Sequence, residues 1–181
     1  EKKKVALEAI RRDVKEEGLC TLPIGVIAVM KQQFSSKAVC ILKGDKRGGA
    51  CFNALVTAGV TTAMGSFYMT DWPDEMATQS LKDLPAFERR SRNDLFETCV
   101  AMKDGLREGK FSCADVAVDK VTDTEKLEKG HLKATYKRTV TYTRDLAPID
   151  AACGSIVRVP EEASVTLTKG EDGTWKVDAT P

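Results

Sequence analysis

Along residues 3–17, Val5, Ala6, Ala9, Ile10 and Val14 recur at helical spacing among Lys, Arg and Glu. This pattern predicts an amphipathic helix, with Gly18 at the position of a left-handed C-terminal cap. Leu19–Leu22 and Gly25–Met30 are apolar runs around Pro23. They predict a turn and then a short buried strand or helix, between which periodicity does not choose. Lys43-Gly44-Asp45-Lys46-Arg47-Gly48-Gly49 concentrates charge and glycine and predicts a loop. A short helix is expected over Ala50–Ala58, with Cys51, Phe52 and Leu55 inward and Gly59 at its end. Val60–Thr70 is rich in β-branched and aromatic residues and predicts a hairpin turning at Gly65-Ser66. Asp71–Phe87, with Pro73 and Pro85, predicts a linker or long surface loop, and Ser91–Leu106 a helix with Leu95, Cys99 and Met102 on one face.

The last third changes period. Cys113–Thr122 alternates, with Val116 and Val118 set against Asp115, Ala117 and Asp119, as a half-buried strand does. His131–Thr143 alternates over a longer run, placing Leu132, Ala134, Tyr136, Arg138, Val140 and Tyr142 on one face. Val165–Lys169 and Thr174–Val177 flank Gly170-Glu171-Asp172-Gly173, a hairpin signature. The fold class expected is α+β: a helix-rich N-terminal half followed by an antiparallel β-meander. The corresponding organisation is a helical unit over 1–88 and a helix plus meander over 89–181, which can pack as one domain.

Composition narrows the setting. Apolar residues make up 42% of the chain, which is globular rather than disordered. Net charge is +1, from 28 basic and 27 acidic residues, and lacks the basic excess of a nucleic-acid binder. The longest apolar run, Leu19–Met30, is broken by Thr21, Pro23 and Gly25, so no transmembrane segment of about 18 apolar residues is expected. The chain starts at Glu1 without methionine, which fits removal of a signal peptide or lipoprotein leader.

Six cysteines and one histidine frame the chemistry. An even cysteine count spread along the chain predicts cross-links and an oxidising compartment; six reduced, buried cysteines in a cytosolic protein are the alternative. By sequence proximity Cys40 pairs with Cys51, Cys99 with Cys113 and Cys20 with Cys153, one of fifteen connectivities. A Cys40–Cys51 ring of about a dozen residues would stabilise by roughly 3 kcal/mol. No Cys-x-x-Cys pair occurs, so neither thioredoxin-like chemistry nor a zinc ribbon is indicated, and no metal or cofactor is expected. His131 follows Gly130 at the start of a strand, where a solvated or edge position is expected. The glycine-rich 43–49 segment matches neither phosphate-loop spacing, and Asp71, Asp74, Glu75, Asp94 and Glu97 form no glycosidase-like pair. Trp72, before Pro73 in an acidic stretch, is the candidate recognition residue, with Asp71, Asp74 and Glu75 beside it.

Two segments resemble known families. Ala50-Cys51-Phe52-Asn53-Ala54-Leu55-Val56-Thr57-Ala58-Gly59-Val60, followed by Phe67-Tyr68-Met69-Thr70, resembles the end of a winged-helix module, where a helix leads into a β-wing. That resemblance implies a winged-helix-like first unit and nucleic-acid binding. Val165–Val177, closing on Asp172-Gly173-Thr174-Trp175-Lys176-Val177, is similar to the closing hairpin of small exported bacterial proteins. These include lipoproteins of unknown function and cystatin-like or NTF2-like folds, and the similarity implies a curved antiparallel sheet.

The function expected is that of an exported bacterial protein, periplasmic or at the cell surface with or without a lipid anchor. It would act as a non-enzymatic binding or envelope-assembly module whose partner is another protein or an envelope component, not nucleic acid. One alternative is a hydrolase-type enzyme with a pocket under the curved sheet, built from Tyr136, Tyr142 and nearby carboxylates. The other is a winged-helix nucleic-acid binder using Lys43, Lys46 and Arg47.

Overall fold

The structure is a computed structural model that describes residues 1–31, 38–42, 44–63, 96–102 and 105–178. The fold is α+β, with helices in the N-terminal part and an antiparallel meander in the C-terminal part. Its contacts group the chain into two compact units. One comprises Glu1–Gly18, Cys113–Thr143 and Val159–Pro181; the other comprises Leu19–Ser112 and Arg144–Arg158. The boundary expected near residue 88 lies outside the described residues.

In the first unit, α1 (Lys2–Asp13) lies on a four-stranded antiparallel sheet in the order β5 (Ala114–Lys126), β6 (His131–Tyr142), β7 (Glu162–Lys169), β8 (Trp175–Val177). Ala6, Ala9 and Ile10 of the helix share one core with Val121, Leu132, Ala134, Tyr136 and Leu167 of the sheet. Alanines at both surfaces let helix and sheet approach closely, while Ile10 and Leu167 supply the apolar bulk. The strand β5 slips register between Val118 and Lys120 and again between Val121 and Asp123. Such bulges bend a strand and leave carbonyls without ladder partners. Basic side chains of α1 meet those carbonyls: Arg11 donates to Val118 and Asp119, and Lys3 to Thr122. The helix therefore both fills the curl of the sheet and satisfies the irregularities that produce it.

The helix stops four residues earlier than the pattern predicts, at Asp13, because Val14 is already extended. Asp13 instead fastens the helix end to the sheet edge: its carboxylate accepts from the Val177 amide at 3.1 Å and from Arg12, which also donates to the Trp175 carbonyl at 2.7 Å. Gly18 is not a helix cap. Its carbonyl accepts from the amides of Cys113 (2.8 Å) and Ala114 (3.2 Å), and a Cβ there would lie 1.7 Å from the Ala114 oxygen. At the far end, the predicted hairpin forms around Gly170 and Gly173, with Gly173 at φ +83°.

The second unit holds two short antiparallel pairs: β1 (Leu19–Thr21) with β4 (Lys110–Ser112), and β2 (Ala38–Leu42) with β3 (Phe96–Ala101). Its helices are α2 (Ile24–Lys31), α3 (Lys46–Thr57) and α4 (Ala147–Cys153). Leu22, Met30, Phe52, Leu55, Val100, Leu106 and Ile149 are fully buried here. Two expectations are corrected. Within the span 91–106 predicted as a helix, the described residues form instead strand β3 at Phe96–Ala101 and the start of a 3-10 turn, Leu106–Glu108. Pairing of Thr98, Cys99 and Val100 with Ile41, Cys40 and Val39 overrides the local helical spacing. The glycine-rich loop is corrected too, because α3 begins inside it at Lys46. Asp45 caps the helix by accepting from the Gly48 amide at 2.8 Å, and a Cβ at Gly48 would meet Asp45 and Ile41. The hairpin turn at Gly65-Ser66 and the Asp71–Phe87 linker lie outside the described residues.

Replacing Gly18 by Ala is expected to destabilise the protein by about 1–3 kcal/mol through forced overpacking. Gly25→Ala, in a helix with nothing within 4 Å of the new Cβ, is expected to be neutral or to stabilise by up to about 1 kcal/mol. Urea midpoints of the two variants check this, and equal midpoints would contradict the close-approach reading of Gly18.

Candidate functional site

All six cysteines are disulfide-bonded. Cys40 is bonded to Cys99 and Cys51 to Cys153, which overturns all three proximity pairings. Cys40 and Cys99 face each other in the β2–β3 register, with Cα atoms 4.0 Å apart. Strand pairing brings them together although 59 residues separate them. Cys51 on α3 and Cys153 at the end of α4 are joined across 102 residues. Proximity along the chain fails because cross-links follow element packing, and Cys99 lies on strand β3 rather than on the expected helix. Asp71, Trp72, Asp74 and Glu75 lie outside the described residues.

Within the second unit the Cys51–Cys153 bridge forms part of a cleft of about 390 Å³. Its other walls come from Val26 and Val29 of α2, Ile41 of β2 and Phe52 of α3, with Asp45 and Arg47 at the first turn of α3. The carboxylate of Asp45 is engaged in capping; Arg47 and Lys46 are exposed. Lys43, the third cation of the nucleic-acid alternative, is outside the described residues. The helix α2 is the unusual wall. Ile24–Met30 contains no polar side chain, yet only Met30 is fully buried, and Ile24 and Val29 remain 85% and 38% exposed. A short helix apolar on every side, within a chain of this class, was the sequence signal for this surface.

A second group of polar side chains lies in the first unit. Arg138 occupies the inward face predicted for it, and its buried partner is Glu16: Nη1 donates to Oε2 at 2.9 Å, with side-chain exposures of 11% and 9%. Arg138 also donates to the Pro160 carbonyl, while its buried Nε has no hydrogen-bond partner. The Tyr136 hydroxyl donates to Glu16 Oε1 at 2.8 Å. Tyr136 is 2% exposed within the core and Tyr142 is 41% exposed, so the two tyrosines expected to build one pocket stand in different environments. A cation at an inward strand position was the signal that a buried carboxylate had to exist. Burial, then the hydrogen bond to Glu16 and its negative charge, push the Tyr136 phenol up to about 12.

The lone histidine is not simply solvated. His131 Nδ1 lies 2.8 Å from Thr168 Oγ1 and 3.3 Å from Asp178 Oδ2, and Thr168 Oγ1 in turn donates to Asp178 Oδ1. The β6–β7 register sets His131 opposite Thr168. Since the threonine proton goes to the carboxylate, Thr168 can only accept from His131, so Nδ1 carries the ring proton. In the neutral ring Nε2 is then the lone-pair atom, an arrangement that orients a histidine base or ligand-binding group. Thr168 and Asp178 were missed by sequence reasoning because the pairing that joins β6 to β7 skips residues 143–161. Among the described residues, no cluster of three or more His, Cys, Asp or Glu could hold a metal ion, and no helix is long and apolar enough to cross a membrane.

No family model, curated protein or solved structure matches the chain.

The raised Tyr136 value links to stability with a definite sign. The folded state favours the protonated phenol, so its contribution is complete below pH 10 and is lost as pH rises from 10 towards 12. The stability advantage of wild type over Tyr136→Phe should therefore shrink between pH 10 and 12. Parallel urea unfolding of both proteins checks this, and a constant difference would refute the assignment.

Proposed function

We propose that the protein is an exported bacterial binding module, non-enzymatic and acting in the periplasm or at the cell surface, whose partner is another protein or an envelope component. The observation that carries this reading is the cleft beside α2. Its volume of about 390 Å³ falls in the range of ligand sites, its walls are mainly apolar, and Ile24 and Val29 expose apolar surface on the helix that forms one wall. Exposed apolar surface of this kind marks interaction sites. A full set of disulfides supports the oxidising compartment, and Cys51–Cys153 holds α3 and α4 in place around the cleft. The partner contributes an apolar group, an aliphatic side chain or a short acyl segment, that enters between Val29 and Phe52. The exposed Arg47 at the rim favours an acidic neighbour to that group.

The neutral dye N-phenyl-1-naphthylamine is the probe of choice. Saturable fluorescence enhancement is expected for wild type, with at least about a tenfold loss of affinity in Val29→Asp, since a carboxylate placed in an apolar wall is costly. Ile24→Asp should keep its fold by circular dichroism and also bind more weakly. Enhancement that is absent in wild type, or unchanged in both variants, would exclude the cleft as a binding site.

A further inference from the structure

The first unit carries a separate cavity of about 380 Å³ next to the histidine cluster. Val5 of α1, Leu132 of β6 and Trp175 of β8 give it apolar walls, and His131 lines it beside Gly130. Leu132 is a residue of the helix–sheet core and Trp175 packs on that core. They form a firm surface on which a flat apolar group can rest. Lys2 and Lys126 also line the cavity, against a single carboxylate, Glu1. The balance of side-chain charge among the lining residues is therefore positive, and Asp178, in contact with His131, is engaged by Thr168 and His131. The backbone turn that delivers His131 is itself unusual. Lys129 has φ 57° and Gly130 φ 80°, consecutive left-handed residues, and Lys129 is the only non-glycine among the described residues in that region. A side chain held there costs energy that surrounding structure has to offset, and this turn sets the start of β6 against the cavity.

We propose that this cavity is a binding site for a small organic acid with a flat apolar body and a hydroxyl or N–H donor. The body lies against Trp175, Leu132 and Val5. The acid group is drawn by Lys2 and Lys126, which act as point charges rather than as a geometric fork. His131 provides the specific contact: with Nδ1 committed to Thr168 and Asp178, Nε2 accepts a hydrogen bond from the ligand's donor. The same Asp178 contact holds the ring in one orientation, so the acceptor is positioned before the ligand arrives. Recognition thus divides into three separable parts: apolar contact, charge and one directed hydrogen bond.

Because His131 is the only histidine, its ring resonances can be read without ambiguity in the whole protein. Long-range proton–nitrogen spectra of the free protein should show the Nδ1–H tautomer. Titration with 6-hydroxy-2-naphthoate should shift the His131 ring signals saturably. Binding of 2-naphthol, which lacks the acid, should be about tenfold weaker, and binding of the acid to Lys126→Gln about two- to fivefold weaker, since a single exposed charge contact contributes little. His131→Leu should weaken 6-hydroxy-2-naphthoate more than 2-naphthoate, which has no donor. The neutral dye used for the cleft should leave the His131 signals unmoved. No saturable shift at millimolar acid, equal affinity for acid and naphthol, or an Nε2–H tautomer would each overturn the proposal, and Lys126→Gln keeps the test available if His131→Leu does not fold.

Discussion

One carbonyl oxygen organises the first unit. The Gly18 oxygen accepts from two successive amides, Cys113 and Ala114, so the end of the α1 segment is joined directly to the first residues of β5. The bond pair demands a backbone approach that leaves no space for a Cβ. Once it is made, α1 lies along the sheet with Ala6, Ala9 and Ile10 facing Ala134 and Leu167, and residues 19–112 become an excursion from a small helix-on-meander unit. Cys113 is used twice, since its carbonyl also accepts from Thr143 at the end of β6. The closure thus joins the end of the α1 segment, the start of β5 and the end of β6, the strand that carries His131 and Tyr136.

The periodic part of this architecture was legible in the sequence. Alternation in 113–122 and 131–143 corresponds to β5 and β6, and Leu132, Ala134 and Tyr136 are buried as the pattern requires. Glycines around Glu171-Asp172 gave a turn of the kind observed. Legibility ended where long-range pairing competes with local spacing. Phe96–Ala101 has helical neighbours at Leu95, Cys99 and Met102, yet becomes a strand because β2 offers it a ladder and a cysteine at the matching position. Gly48 and Gly49 looked like loop residues, but both lie in the helix, which needs Gly48 where it closes on Ile41 and Asp45. The histidine cluster was invisible for the same reason: its three members come from three strand ends or their exits, far apart in sequence.

The two units use polar groups in different ways. Glu16, Tyr136 and Arg138 form a buried set in which the carboxylate is shared by a phenol and a guanidinium. Such a set costs much to break and confers little when whole, so it specifies how the Glu16 segment seats on β6 more than it adds to stability. In the second unit the comparable fastening is done by Arg144, which donates to the carbonyls of Ser112 and Ala58, and by Asp150, which holds Arg158 and the Ile156 amide. Those groups leave the α2 cleft apolar, with its charge confined to the rim.

The order of the cysteines has a consequence for biogenesis. Cys40–Cys99 and Cys51–Cys153 interleave: each bond starts inside the span of the other or encloses its beginning. A chain that enters an oxidant N-terminus first presents Cys20, Cys40 and Cys51 before Cys99 and Cys153, and any pairing among those three is not native. Escape from it requires thiolate attack on a formed bond, a slow exchange reaction. Where a bond among those three forms first, correct oxidation of this protein requires reshuffling, and its yield then depends on an isomerase or a thiol buffer.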